Sequence, residues 1–207
     1  MARRFKPLFL HPHEPNVLIP VFIDGEVVGT WDLRSYSSDL LSEIPDFETL
    51  VYADGTEPGT GRRRPDLWAR RIRDEVEVFE IWVKRVTSRG GRVPFRFLRP
   101  DPRNPRIFYC DYYPPDGSKP FTFKIKLPPK YPEQPPRTEG LRAISYAGFR
   151  MPSTGEPCLG RLGQENWRRN WRKWGIAHYL ALIGHYEATK QGLSIRRLEK
   201  RLRGRRT

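Results

Sequence analysis

The chain has 207 residues, 37% of them hydrophobic, enough for a real core in one moderately large domain or in a domain with an extension. Its formal charge is +14, but residues 196–206 alone hold seven Arg or Lys against one Glu, so the body is less basic than the total implies. No stretch approaches the roughly 20 continuous apolar residues that span a bilayer, and the start Met1-Ala2-Arg3-Arg4-Phe5 runs into prolines and charges, which predicts a cytoplasmic protein with no membrane partner.

The two cysteines, Cys110 and Cys158, form no CxxC pair, so neither a disulfide framework nor a cysteine-rich zinc site can come from one chain. His11 and His13 lie in a Pro-rich leader, and His178 and His185 fall seven apart on a predicted helix, where packing is the simpler reading. No metal or cofactor is expected.

Residues 17–31 read VLIPVFIDGEVVGTW, two β-rich runs around Asp24-Gly25, the dipeptide favoured by a two-residue hairpin turn because both positions need positive φ. A short helix is predicted from Ser37 or Ser38 to Glu43, then a strand over Thr49 to Ala53, and the Gly- and Thr-rich interval Asp54 to Arg64 reads as a linker. Residues 1–64 are thus expected to be an N-terminal extension.

From Pro65 the spacing turns helical: Trp68, Ile72, Val76, Phe79, Trp82 or Val83, and Val86 recur every three or four residues. The opposite face is expected to carry Arg70, Arg71, Arg73, Asp74, Glu77, Glu80 and Lys84, and by itself reads as solvated. Strands are predicted over Val93 to Leu98, Ile107 to Tyr113 and Phe121 to Leu127, with a fourth over Thr138 to Ser145. This is an antiparallel meander in an α+β fold, with Cys110 a packed thiol inside its second strand. Between the last two strands, Pro128 to Pro136 has fixed φ angles and missing donors that forbid sheet pairing and impose an extended crossing. A loop is predicted over Gly148 to Gly163, three tryptophans follow at 167, 171 and 174, and a helix is predicted from about Trp174 to Lys190. The tail, 193–207, reads as a basic helix or extension.

Cys158 lies in that loop between Gly155 and Gly160, with Arg150 and Arg161 close in sequence and no neighbouring histidine. A reactive thiol needs partial exposure and a cationic setting, and the absence of a paired base suits transfer of an already activated acyl group better than attack on an amide.

The order of helix, meander, Tyr131-Pro132 to Pro135-Pro136 crossing, Gly155-x-x-Cys158-Leu159, Trp167 and helix resembles the ubiquitin-conjugating enzyme family over residues 65–192. The segments FTFKIKLPPKYPEQPP at 121–136 and GEPCLGRLGQENW at 155–167 carry the resemblance. It implies a ubiquitin-conjugating-enzyme-like fold, a thioester on Cys158, Leu159 packed beneath it, and transfer of a ubiquitin-like protein to an amine or a ligase. It also implies that the first helix meets an activating enzyme, with Arg70, Arg71 and Arg73 as the partner-binding cations. One departure from the family is serious: the window that usually holds His-Pro-Asn before the cysteine reads Gly148-Phe149-Arg150. Arg150 is then a candidate oxyanion donor, with Asn166 or Asn170 as alternatives. Two competing readings are a non-catalytic binder of ubiquitin-like proteins with this fold, and a nucleic-acid-binding protein acting through the basic tail and Tyr109, Tyr112 and Tyr113.

Overall fold

Alternation along the chain builds the sheet. In the segment Ile107–Tyr112 the side chains of Phe108, Cys110 and Tyr112 are buried, while Ile107, Tyr109 and Asp111 are half-exposed, the period-two pattern of a strand with one face on a core. The computed structural model describes residues 18–23, 26–32, 41, 43–88, 93–114, 117–142 and 150–183. In chain order these form β1 (Leu18–Ile23), β2 (Glu26–Asp32), α1 (Pro65–Ser88), β3 (Phe95–Pro100), β4 (Ile107–Tyr112), β5 (Phe121–Lys126), β6 (Arg137–Glu139) and α2 (Gly160–Asn170). Residues 176–183 form a further helix, α3.

The chain is α+β, with a four-stranded antiparallel sheet in the order β3-β4-β5-β6. Strands β4 and β5 pair without interruption from Ile107↔Lys126 to Tyr112↔Phe121. The β3–β4 register shifts between Arg96 and Arg99, where Phe97 takes φ 56° and points to solvent at 60% exposure. β3 runs two residues beyond the predicted Val93–Leu98, and the bulge blunts the edge of the sheet. Strands β1 and β2 pair antiparallel as a two-stranded ribbon, as their sequence predicts. The Asp24-Gly25 turn, the predicted helix before Glu43 except for Leu41, and the basic tail lie outside the described residues.

Helix α1 buries Trp68, Arg71, Glu75, Val78, Phe79, Trp82 and Val86. That stripe is rotated from the predicted one: Ile72, Val76 and Val83 flank the core, and two charged residues stand inside it. Arg71 Nε donates to Glu75 Oε1 at 2.8 Å, with both side chains fully buried. The guanidinium also donates to the carbonyls of Thr49 at 2.9 Å and Trp174 at 2.7 Å, and its plane lies 3.6 Å from the centre of the Phe47 ring. Glu75 accepts from the Tyr131 hydroxyl and from the Ile176 N–H, the latter at 2.7 Å. Five partners offset the cost of removing this pair from water.

The same pair explains why residues before Pro65 belong to the core. Ile44, Phe47, Val51, Tyr52 and Ala53 are buried with the sheet and helices. Residues 49–53 are not a strand; they end beside the Pro-rich crossing, with Ala53 N–H on the Tyr131 carbonyl at 2.9 Å and Asp54 N–H on the Pro129 carbonyl at 3.1 Å. The interval expected as a linker is a tight turn, closed by Arg64 N–H on the Gly55 carbonyl at 2.7 Å and by a bridge between Thr56 and Arg63. Gly175 marks the closest approach, since a Cβ there would stand 2.4 Å from Phe47 Cε2 and 2.5 Å from Glu75 Oε2.

Candidate functional site

The crossing after β5 is tied to the helix that follows Cys158. Tyr131-Pro132 is a cis peptide, and Tyr131 is wholly buried with its hydroxyl on Glu75. Trp167 Nε1 donates to the Pro132 carbonyl at 2.7 Å, so a fully buried tryptophan ties α2 to the crossing. Its ring meets Trp174 and Tyr179 edge-on. Truncating a side chain packed this way costs ~3–5 kcal/mol. The sequence predicts loop up to Gly163, whereas helix begins at Gly160: Leu159 (3% exposed), Gly163 and Trp167 fall four apart on one face and bury it. Gly163 is needed there, because a Cβ would come within 2.8 Å of Leu159 Cβ.

Residues 150–157 fold back on themselves. Arg150 bridges Pro157, Met151 N–H donates to the Glu156 carbonyl at 2.8 Å, and Gly155 N–H donates to the Met151 carbonyl at 2.8 Å. Gly155 makes the turn at φ 70°, where a Cβ is disfavoured. Two side chains hold this small hairpin against the end of β6. Arg150 Nη1 donates to the carbonyls of Gly155 at 2.7 Å and Arg142 at 3.2 Å. The Glu156 carboxylate, 6% exposed as a residue, accepts from three successive backbone N–H groups: Gly140 and Leu141 at 2.9 Å and Arg142 at 3.2 Å.

Cys158 follows this braced hairpin and stands two residues before α2, half-buried. The Tyr179 hydroxyl donates to the Pro157 carbonyl at 3.5 Å, and burial, with smaller contributions from Cys158 and Glu156, pushes its titration well above the usual range. Cys110 is the opposite case: it is sealed in β4, its Sγ donates to the Arg96 carbonyl at 3.2 Å, and burial pushes the thiol up to about 12.

The remaining sites expected from sequence fall in three places. Arg150 is at the loop, but the Nη1 contacts place it as a brace between two carbonyls. Asn166 is exposed on α2, with its carbonyl accepting from Asn170 Nδ2 at 2.9 Å. Of the three α1 cations, Arg70 and Arg73 are exposed, Arg70 lying 3.9 Å from Asp74. Arg71 corrects the expectation: it is fully buried in the ion pair with Glu75 and presents nothing to a partner, because i to i+4 spacing places its charge partner on the same inward face.

No family model and no curated protein matches this chain.

Sequence reading missed Glu156. Its signal was a lone carboxylate in a Gly-Glu-Pro-Cys segment, and its partners are main-chain N–H groups that no side-chain pattern marks. No helix among the described residues is long and apolar enough to cross a membrane, and no three His, Cys, Asp or Glu side chains among them gather as a metal site.

Proposed function

We propose that the protein carries an activated carboxyl group, the C-terminus of a ubiquitin-like protein, as a thioester on Cys158 and passes it to an amine or a ligase. The observation that carries this reading is the contrast between the two thiols: Cys158 stands half-exposed at the end of a hairpin braced by Arg150 and Glu156, while Cys110 is sealed in the sheet. The order of α1, meander, crossing, cysteine loop and α2 supports a ubiquitin-conjugating-enzyme-like fold.

In the first step Cys158 Sγ attacks the carbonyl carbon of a thioester held by an activating enzyme. A new S–C bond forms, the donor's S–C bond breaks, and the donor thiol takes up the proton that Cys158 loses. In the second step an amine nitrogen attacks the same carbon, the C–N bond forms, Cys158 leaves as thiolate, and the surplus amine proton passes to solvent. Each step passes through an oxyanion. The first-turn N–H groups of a helix have no intrahelical acceptors, so the start of α2 at Gly160, directly after Cys158-Leu159, offers donors that can do the work of the absent family asparagine. Asn166 is a second donor on the same helix, and Arg150 acts through the loop it holds.

The test is a non-reducing gel after incubation with an activating enzyme, ATP and a ubiquitin-like protein. The wild type should form a thiol-sensitive adduct, Cys158→Ser a thiol-resistant ester if it is loaded at all, and Cys158→Ala none. An adduct on Cys158→Ala at wild-type level overturns the proposal.

A further inference from the structure

Glu156 braces the hairpin that leads to Cys158, and its contacts reach further than a brace requires. Its two carboxylate oxygens take three consecutive main-chain N–H groups, those of Gly140, Leu141 and Arg142, at 2.9, 2.9 and 3.2 Å. Gly140 has φ 104°, and a glycine in this left-handed region lets successive N–H groups converge into a concave nest that suits an anion. Here the anion is internal. It is contributed from two residues before Cys158 and is nearly excluded from water, where hydrogen bonds to a charged acceptor are strongest.

Arg150 reinforces the same joint with opposite polarity. Its Nη1 donates to the carbonyl of Arg142, whose N–H is the third of the nest, and to the Gly155 carbonyl, adjacent to Glu156. The end of β6 and the cysteine hairpin are therefore locked by acceptors and donors in both directions, and β6 is itself paired to β5. From Glu156 only Pro157, with fixed φ and its carbonyl near the Tyr179 hydroxyl, intervenes before the thiol.

We propose that Glu156 is the positioning residue of Cys158: by filling the nest at 140–142 it fixes the main chain that aims the thiol, in place of the loop support missing from this sequence. It touches no reacting atom. The proposal rests on the thioester reading for its consequence in catalysis, but the clamp and its effect on the thiol are measurable without a protein partner.

The experiment compares wild type with Glu156→Gln and Glu156→Ala in the full chain. Glutamine keeps the shape and one carbonyl acceptor, but replaces the other oxygen by an amide NH2 that can only donate and so opposes the main-chain N–H it faces; alanine removes both acceptors. Hydrogen exchange at Gly140, Leu141 and Arg142 should accelerate roughly tenfold or more, in the order wild type, Gln, Ala, with the amides of Phe108 and Cys110 unchanged. Iodoacetamide should label Cys158 several-fold faster in the variants, because a loosened loop exposes it, while Cys110 stays protected. Acyl transfer from a small-molecule thioester to Cys158 should slow by a similar factor, because attack at carbonyl carbon needs direction whereas alkylation is permissive. A merely structural role would shift both reactions the same way or release Cys110. Unchanged exchange at 140–142 overturns the clamp. Faster exchange with unaltered rates at Cys158 overturns the positioning role. Failure of the activating-enzyme assay with these opposed shifts intact would overturn the thioester reading alone.

Discussion

Arg71 and Glu75 form a fully buried ion pair, 2.8 Å between Nε and Oε1, that joins α1 to the Thr49 and Trp174 carbonyls, the Tyr131 hydroxyl and the start of α3. Breaking it from either side leaves a charge in the core without its counterion. Glu75→Ala and Arg71→Ala should each destabilise the protein by ~3–5 kcal/mol in urea denaturation. The double replacement Arg71→Met with Glu75→Leu should cost less than either single change. A loss below ~1 kcal/mol for Glu75→Ala would show that the pair is not what holds these segments together.

On the outer side of the same helix, Arg70 and Arg73 are exposed, and under the proposed function they are the two of the three expected cations that could meet an activating enzyme. Reversing both to Glu should slow loading of Cys158 and flatten its salt dependence, as expected for charge-steered encounter, while leaving the fold intact. Reversing Arg71 should instead unfold the protein. Normal loading kinetics in the Arg70, Arg73 double reversal would move the interface off this face.

The two thiols should separate sharply by reagent. Burial holds the Cys110 thiol at about 12, so at pH 8 it is both protonated and shielded. Native-state alkylation should modify Cys158, and Cys110 should react only at the rate of global unfolding. Mass spectrometry showing equal early labelling would contradict the buried placement.

His178 gives a pH signature. It is 1% exposed, stacks on Trp174, and accepts from the Gly175 N–H through Nδ1 at 3.2 Å. Burial, then the charges of Arg71 and Lys173, push its titration down to about 3. The unfolded chain, titrating near ~6.5, binds this proton first. The group's contribution to stability is therefore complete above about 6.5 and is lost as pH falls toward 3, at up to ~1.4 kcal/mol per pH unit. Stability measured from pH 7 to 4 should fall more steeply in wild type than in His178→Gln. Carboxylates held low by their partners, such as Asp111 beside Arg99, act in both proteins and cancel in the difference. Parallel curves would mean that His178 titrates in the folded protein as it does in the unfolded chain.

Local patterns determined much of this protein. Alternation along Phe121–Lys126 and its neighbours specified an antiparallel sheet, helical spacing specified α1, and proline chemistry specified the crossing, because each depends on residues close in sequence. The contrast between a strand cysteine and a loop cysteine was legible for the same reason. Tertiary structure alone decided where charge enters the core. Apolar periodicity placed Arg71 on the outer face, since a counting rule treats every arginine as solvated; Glu75, Thr49 and Trp174 reverse that assignment, the last from 103 residues away. It also decided that Ile44, Phe47, Val51, Tyr52 and Ala53 are buried with the core and that the Glu156 carboxylate meets the N–H groups of residues 140–142. A buried polar group is stable only where distant backbone donors and acceptors converge on it, and main-chain groups, identical in every residue, leave no mark in the sequence.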